Sequence, residues 1–179
     1  MNKDFYDRLE PAVFKRIAER IRGVEKVLEI GCGDCRLVNY LAQHAGCEMV
    51  GIDINDTDFA KGQRETKRLR LSNLVSYVKG NAEHLSSFLR DKFDVCISMY
   101  VLHELKNPST VLKEIREVLK QHGKIIMIDF PKDSIAEDIW CEEYYPPKKM
   151  ALLLRKSQFK NINLEFMGGK ELVFATAEK

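Results

Sequence analysis

Apolar residues recur along this chain in two periods, one typical of helices and one typical of buried strands. The first stretch is predicted to be helical, because Leu9, Val13, Ile17 and Ile21 fall on one helix face. Short, almost wholly apolar runs then predict five strands, over residues 26–30, 49–54, 75–78, 93–99 and 124–130. Helical spacing between these runs predicts helices over residues 37–45, 56–69, 82–89 and 107–123. This alternation predicts a doubly wound parallel sheet with helices on both faces.

The last quarter of the chain has a different pattern. A helical run over residues 148–158 precedes an alternation of apolar and polar positions over residues 162–166. Gly168-Gly169 then indicates a turn, and a further apolar run covers residues 171–177. Two strands around a tight turn predict a C-terminal antiparallel β-hairpin beside the parallel strands. We therefore expect an α/β fold with a mostly parallel, seven-stranded sheet.

Length and composition are those of an ordinary globular domain. The chain has 179 residues, of which 45% are hydrophobic and 31% charged, and its net charge is +2. This balance makes nucleic acid an unexpected partner, because domains that bind nucleic acid usually carry a strong basic footprint. The basic side chains over residues 61–70 are a local exception, and they indicate either a solvated helix face or a polyanion contact. We favour the solvated face.

Five cysteines indicate a reducing environment. Their number is odd, residues 1–22 are mixed and charged rather than an apolar signal core, and no apolar run is long enough to span a bilayer. We therefore expect a cytoplasmic protein. Cys32 and Cys35 form a C-x-x-C motif, but no second cysteine or histidine pair stands at the spacing of a zinc site. We expect no metal.

A glycine-rich turn follows the first predicted strand and precedes a helix. The sequence Glu29-Ile30-Gly31-Cys32-Gly33 allows a ligand to approach the backbone closely, as in many nucleotide-binding proteins. Arg36 stands where the dinucleotide fingerprint has its third glycine, and Glu29 is an acid inside the strand. This acid would oppose the negative pyrophosphate of a dinucleotide and would favour a cationic ligand. The pattern therefore disfavours a nicotinamide-dependent oxidoreductase.

Five stretches of the chain, in order and at family spacing, resemble motifs of the class I S-adenosylmethionine-dependent methyltransferases. They are VLEIGCG at 27–33, VGID at 50–53, GNAE at 80–83, FDVCIS at 93–98 and IREVLK at 115–120. The resemblance is closest to the subgroup that includes the ubiquinone and menaquinone methylases. It implies a Rossmann-like methyltransferase fold in a single domain over residues 1–179. Its implied parts are an N-terminal lid helix (1–23), a cofactor-binding core (24–130) and a helix plus β-hairpin (131–179).

The resemblance also implies roles for single residues towards S-adenosylmethionine. Gly31 and Gly33 would hold the amino-acid end of the cofactor, and Glu29 would lie near its amino group. Asp53 would accept hydrogen bonds from the ribose hydroxyls. The implied cofactor-binding set is Glu29, Gly31, Cys32, Gly33, Asp53, Ile54, Asn81, Ala82, Ser98 and Met99.

Several members of this set have alternative interpretations. Ile54 would pack on the adenine face, and Asn81 would meet the adenine amino group, although Asn81 could also be a helix cap. Asp53 could be an ordinary turn acid. Glu29 could pair with Arg36, but we favour the cofactor because a buried acid in a strand needs a partner.

Cys35 departs from the family pattern, which usually has a glycine at this position. We expect its side chain to narrow the loop. The same placement puts Cys32 and Cys35 in the cofactor loop, where they would meet the ligand rather than a metal or each other.

Residues beyond the strand ends are candidates for contact with a methyl acceptor. His103 is our first choice as a general base or substrate contact, although it could merely pack at a helix edge. Asp129 could contact the substrate or cap a helix, and Tyr6 belongs to the segment that often forms a lid in this fold. The aromatic and acidic residues over 140–145 could be a substrate wall, a dimer surface or loop packing.

The function implied by the resemblance is methyl transfer from S-adenosylmethionine to a small-molecule acceptor, with S-adenosylhomocysteine as the product. One alternative is a protein or RNA methyltransferase with an open site. Another is a binding protein that keeps the fold and the cofactor without catalysis. We expect a monomer or a homodimer.

Overall fold

The computed structural model describes residues 3–179, which form seven strands and seven helices in the predicted alternating order. The strands are β1 (Lys26–Ile30), β2 (Glu48–Asp53), β3 (Val75–Lys79), β4 (Phe93–Met99), β5 (Leu119–Asp129), β6 (Lys160–Met167) and β7 (Leu172–Glu178). The helices are α1 (Lys3–Arg20), α2 (Arg36–Ala45), α3 (Phe59–Arg68), α4 (Leu85–Phe88), α5 (Pro108–Val118), α6 (Ile135–Trp140) and α7 (Pro147–Lys156). Short 3₁₀ turns cover Ala82–His84, Leu102–Glu104 and Gly168–Lys170.

The strands form one mixed sheet in the order β3-β2-β1-β4-β5-β7-β6. Strands β1 to β5 are parallel to one another, and β7 lies antiparallel between β5 and β6. The predicted fold class, including the C-terminal antiparallel hairpin, is confirmed. Strands β2 and β3 lie on one side of β1, and β4 and β5 lie on the other, so the strand order reverses between β1 and β4. Ligands of open α/β sheets bind in the crevice that such a reversal leaves at the carboxyl ends of the strands.

Side chains of β1 point alternately into two hydrophobic cores, one on each face of the sheet. Leu28 joins the core that contains Leu112 of α5. Val27 joins the other core, with Leu41 of α2. Because successive side chains of a strand point to opposite faces, Glu29 lies on the Val27 face, which α1 and α2 cover. This placement aims an acid at the turn between β1 and α2.

The long first helix, α1, is held in place by buried apolar side chains and by ion pairs. Val13 and Ile17 on its inner face are fully buried, and the helix packs against α2. Arg16 and Arg20 both form ion pairs with Glu165 of β6. None of the helices in residues 3–179 is both long enough and apolar enough to cross a bilayer.

The largest differences from the predicted elements concern the end of α5 and the presence of α6. The helix predicted to end at residue 123 ends at Val118, and β5 begins at once. Residues 120–123 bulge out of the pairing between β4 and β5. Because these residues do not alternate between apolar and polar, the sequence pattern does not predict a strand there. Helix α6 was not predicted, because its six residues are too short for a clear helical repeat.

Candidate active site

The loop after β1 is a tight turn with no room for a side chain at Gly31. Gly31 has a φ of +68°, and an added Cβ would lie 2.3 Å from Cγ2 of Val101. The N–H groups of Gly31 and Cys32 donate to the carbonyl oxygen of Ile52, at 2.8 and 3.0 Å. Gly33 also has a positive φ, of 43°. The closed turn leaves beside it a cavity of about 280 Å³, which we call the loop cavity.

Glu29 is a buried acid with an unsatisfied oxygen. It is 3% exposed and lines the loop cavity, and its Oε2 has no hydrogen-bond partner among residues 3–179. Burial raises the pKa of this carboxyl well above its usual range, and Cys35 and Asp34 raise it further. The alternative ion pair with Arg36 is not formed, because Arg36 binds Asp34 and Glu10 at 2.5 and 2.6 Å. The lone buried carboxylate therefore fits a cationic group brought by a ligand.

Cys35 adopts the left-handed backbone conformation, with a φ of 64°, at the start of α2. This conformation favours glycine, which accounts for the glycine that the resemblance implies at this position. The side chain is fully buried and turned towards α3, where a Cβ added to Gly62 would lie 2.7 Å from its Sγ.

The expectation that Cys35 narrows the ligand loop is therefore wrong, since its thiol points into the core. The Sγ of Cys35 donates a hydrogen bond to the carbonyl oxygen of Gly33 at 3.5 Å. Cys32 itself does line the loop cavity, as predicted. In residues 3–179, no three His, Cys, Asp or Glu side chains are grouped so that they could hold a metal ion.

A second cavity, of about 270 Å³, lies at the ends of β1 and β2, and we call it the strand-end cavity. Gly31 and Asp53 line both this cavity and the loop cavity. The carboxylate of Asp53 accepts hydrogen bonds from the N–H groups of Gly33 and Asn55, both at 2.9 Å, which fix its orientation. Ile54 lines the strand-end cavity with 68% of its surface exposed, an unusual state for an isoleucine.

Asn81 and Ala82 line the same cavity from the turn after β3. Oδ1 of Asn81 accepts a hydrogen bond from the N–H of Glu83 at 2.9 Å, so the cap interpretation of Asn81 is confirmed. A carbonyl oxygen has two lone pairs, and one remains for a ligand. Asn107, which precedes α5, makes no capping bond and donates instead to both carboxylate oxygens of Glu83, at 3.0 and 3.2 Å.

A third cavity, of about 290 Å³, lies between α1, the 3₁₀ turn after β4 and the segment after β5, and we call it the aromatic cavity. Its lining consists of Tyr6, Asp7, Glu10, Tyr100, His103, Glu104, Phe130, Trp140, Glu142 and Tyr144. Phe130 is at the centre of the rings, 4.6 to 5.1 Å from the centroids of Tyr6, Tyr100, Trp140 and Tyr144. The segment 140–145 thus supplies part of a cavity wall.

His103 is held by carboxylates at both ring nitrogens. Nδ1 lies 2.8 Å from Oδ1 of Asp129, and Nε2 lies 3.3 Å from Oε2 of Glu142. Burial alone lowers the pKa of His103, but the hydrogen bond to Asp129 and the charges of Asp129, Glu104 and Glu142 outweigh burial and raise it overall. Asp129 also accepts hydrogen bonds from the N–H groups of His103 and Phe130, at 3.2 and 2.8 Å.

Two of the predicted acceptor-site residues therefore have other surroundings than expected. Asp129 is buried behind His103 and does not line the aromatic cavity, so it cannot contact a substrate there directly. Tyr6 does line the cavity, but its hydroxyl donates to Glu171 at 3.1 Å. Burial and the Glu171 charge raise the pKa of Tyr6, which keeps the hydroxyl protonated and unsuited to act as a base.

Glu104 lies outside the predicted site set, and Tyr100 directly follows Ser98 and Met99 of that set at the end of β4. Glu104 lines all three cavities, and burial raises its pKa. Tyr100 lines the loop and aromatic cavities with a φ of 60°, a strained conformation typical of functional positions. Glu104 stands directly beside His103 in the sequence, and this is the signal that could have identified it. Ser98, predicted to contact the cofactor, is buried in β4 and lines none of the three cavities.

The basic side chains over residues 61–70 are exposed on and just after α3. None of them lines the loop, strand-end or aromatic cavity. Arg68 forms an ion pair with Glu65 of the same helix at 2.5 Å. These positions fit the solvated helix face that we favour.

A comparison with protein families agrees with this geometry. A family model described as a methyltransferase domain matches residues 28–127, which is more than half of the chain. The chain belongs to the S-adenosylmethionine-dependent methyltransferases. The matched part of this methyltransferase runs from β1 into β5, and it contains the loop after β1 and the turns that carry Asp53, Asn81 and His103.

Individual relatives agree with the family. The ubiquinone/menaquinone biosynthesis C-methyltransferase of Shewanella baltica is 31% identical over 125 residues, which are 66% of this chain and 49% of that protein. A SAM dependent methyltransferase from Aquifex aeolicus shares the fold with a TM-score of 0.73 at 18% identity, over 92% of this chain and 88% of that one. The [4+2]-cyclase SpnF shares it with a TM-score of 0.83 at 18% identity, over 94% and 80%. The methyltransferase spans half or less of the length of the curated relatives that it matches first.

Proposed function

We propose that this methyltransferase binds S-adenosylmethionine across the loop and strand-end cavities and transfers the methyl group to a small molecule in the aromatic cavity. S-adenosylhomocysteine is the other product. The observation that carries the proposal is the adjacency of the cavities. Tyr100 and Glu104 line both the loop cavity and the aromatic cavity, so a methyl donor in one lies next to an acceptor in the other.

The residues of the first two cavities fit the two ends of the cofactor. The unpaired Oε2 of Glu29 would accept from the ammonium group, and Asp53 would accept from the ribose hydroxyls. The exposed side chain of Ile54 would pack on the adenine face, with Asn81 at the adenine edge. Bound in this way, the cofactor supplies a methyl group that its sulfonium already activates.

His103 is the proposed general base. Both of its ring nitrogens face carboxylates, so the imidazolium that forms when it accepts a proton is stabilised at both ends. Asp129 acts through His103 and is a positioning residue. The rings around Phe130 form a wall that excludes water from the reacting atoms.

We infer that α1 acts as the lid of the site within a single domain of residues 1–179. Tyr6, Asp7 and Glu10 on this helix line the aromatic cavity. We also propose a cytoplasmic setting. The five cysteines form no disulfide, which supports a reducing compartment.

Calorimetric titration with S-adenosylhomocysteine tests the cofactor half of the proposal. Asp53→Ala removes acceptors of charge-assisted hydrogen bonds worth about 1.5 to 3 kcal/mol each, so affinity should fall roughly tenfold or more. The matched control is Asp56→Ala, an exposed acid that pairs with Lys79 outside the three cavities. Unchanged affinity in a folded Asp53→Ala protein contradicts the proposed ribose site.

Transfer of a labelled methyl group to a panel of small acceptors tests the catalytic half. His103→Gln should lower kcat by about 10² to 10⁴ without changing the affinity for S-adenosylhomocysteine, because the base is lost and the cofactor cavities are untouched. His44→Gln, on the exposed end of α2, is the control. Full turnover by His103→Gln would show that His103 is not the general base.

A further inference from the structure

The wall of the aromatic cavity contains more acidic side chains than basic ones. Asp7, Glu10, Glu104 and Glu142 are four carboxylates in the lining, and no lysine or arginine of the described chain is among the lining residues. Arg36, which lines the neighbouring loop cavity, forms an ion pair with Glu10 at 2.6 Å and neutralises its charge. Three carboxylates remain.

His103, the one imidazole among the described lining residues, is shared between Glu142 and the buried Asp129. The hydroxyl of Tyr144 donates to Glu142 at 3.0 Å. The negative charge of the wall therefore still exceeds what His103 can offset.

These carboxylates divide between the methyl donor and the acceptor. The donor is itself a cation, and Glu104, which lines all three cavities, is placed to offset its charge. Asp7 and Glu142 line the aromatic cavity but neither of the other two. Their charge is therefore directed at the acceptor.

The rings of the same wall favour the same kind of ligand. Trp140, Tyr6 and Tyr144 surround the cavity together with Phe130. The face of an aromatic ring attracts a cation within about 6 Å of its centroid, and tryptophan does so most strongly. Rings alone would also suit a neutral apolar molecule, but rings combined with unbalanced carboxylates select a cationic one.

We propose that the methyl acceptor is an amine, which enters the aromatic cavity as an ammonium ion and accepts the methyl group on its nitrogen. This inference rests on the proposed function. The ammonium group first gives one proton to Nε2 of His103. The freed electron pair forms the new N–C bond while the S–C bond of the donor breaks, and its electron pair stays on sulfur. The methylated nitrogen then carries the positive charge, and His103 releases its proton to solvent.

Trp140 makes the test direct, because it is the single tryptophan of the chain and it lines the cavity. Its fluorescence is followed at saturating S-adenosylhomocysteine during titration with three probes of similar shape. They are choline, which is cationic, 3,3-dimethylbutan-1-ol, which is neutral, and 3,3-dimethylbutanoate, which is anionic. We expect choline to bind at least tenfold more tightly than the neutral alcohol and the carboxylate to have no effect.

Two variants assign the selectivity to the carboxylates. Glu142→Gln and Asp7→Asn should each weaken choline binding three- to tenfold and leave the binding of the neutral alcohol unchanged. The matched control, Glu143→Gln, changes an exposed acid beside Glu142 that does not line the cavity, and it should change neither.

The outcomes separate this inference from the proposed function. Binding of S-adenosylhomocysteine is measured first, by calorimetry, and its absence overturns the proposed function and the inference that rests on it. If S-adenosylhomocysteine binds but the neutral alcohol matches or exceeds choline, the acceptor is an apolar molecule and the amine inference is wrong. Equal weakening by Glu143→Gln would also overturn it, because the effect would then be one of general surface charge.

Discussion

Nδ1 of His103 lies 2.8 Å from Oδ1 of Asp129, and the two side chains are 6% and 3% exposed. The residues are 26 positions apart, and the parallel pairing of β4 with β5 brings them together. Met99 pairs with Ile128 at the ends of these strands, so the turn after β4 meets the last residue of β5. A histidine in a 3₁₀ turn thereby obtains a fixed ring orientation and a raised pKa.

Asp129→Asn should move the acid limb of the kcat–pH profile to lower pH. A general base works only above its own pKa, and the carboxylate that raises the pKa of His103 would be gone. We expect the plateau of kcat to fall by about tenfold or more as well, because the ring loses its acceptor and its orientation. Methyl transfer measured from pH 5 to 9 checks both effects.

The control for this variant is Asp138→Asn, which changes an exposed acid of α6 outside the aromatic cavity. An acid limb that stays in place in Asp129→Asn would show that the observed titration does not belong to His103.

Glu29→Gln should weaken cofactor binding and stabilise the free protein. The charge-assisted contact with the ammonium group is lost, so affinity should fall roughly tenfold. Folding raises the pKa of Glu29, so the stability it contributes is lost as pH rises from the unfolded value, about 4.3, towards the raised value. Glutamine does not ionise, and Tm at neutral pH should therefore rise.

Calorimetry and thermal unfolding measure the two effects, with Glu25→Gln as an exposed control. A Glu29→Gln protein that binds S-adenosylhomocysteine as tightly as the wild type would mean that the buried carboxylate does not meet the ammonium group.

Gly31→Ala should disrupt the loop more than Gly33→Ala does. Both positions have a positive φ, which costs an alanine about 1 to 2 kcal/mol. At Gly31 the added Cβ also clashes with Val101, whereas at Gly33 it meets nothing within 4 Å. Tm and cofactor affinity should therefore fall further for Gly31→Ala, and Val101→Ala in the same chain should restore part of the loss. Strictly additive effects of the two changes would show that the contact is not responsible.

Ile54→Ser should weaken cofactor binding without lowering stability. The side chain is 68% exposed in the free protein, so its removal leaves no cavity in the core. Burial of an isoleucine against adenine contributes about 1.5 kcal/mol or more, and affinity should fall roughly tenfold. Leu152→Ser, which is 44% exposed on α7, is the control and should leave binding unchanged. A fall in Tm for Ile54→Ser that accounts for the lost affinity would contradict the adenine contact.

The sequence predicted the sheet well, and it identified residues that line the loop and strand-end cavities, because these signals are local. Each strand of the core is a short apolar run, and Gly31, Asp53 and Asn81 stand directly at strand ends. Parallel strands end at one edge of a sheet, so these residues had to come together.

The aromatic cavity depends on contacts that no local pattern encodes. Tyr6 of α1 contacts Phe130 and Trp140, which follow it by more than a hundred residues. The burial of the Cys35 thiol goes with a left-handed backbone conformation at that residue, with a φ of 64°, which the sequence does not announce for a cysteine. Composition could not reveal either feature.

The most direct test of the account is a calorimetric titration of the wild-type protein with S-adenosylhomocysteine and, separately, with NADH. The unpaired carboxylate of Glu29 and the absence of a third fingerprint glycine at Arg36 predict binding of S-adenosylhomocysteine alone. Binding of NADH alone, or of neither compound, would contradict the assignment of the loop and strand-end cavities to S-adenosylmethionine.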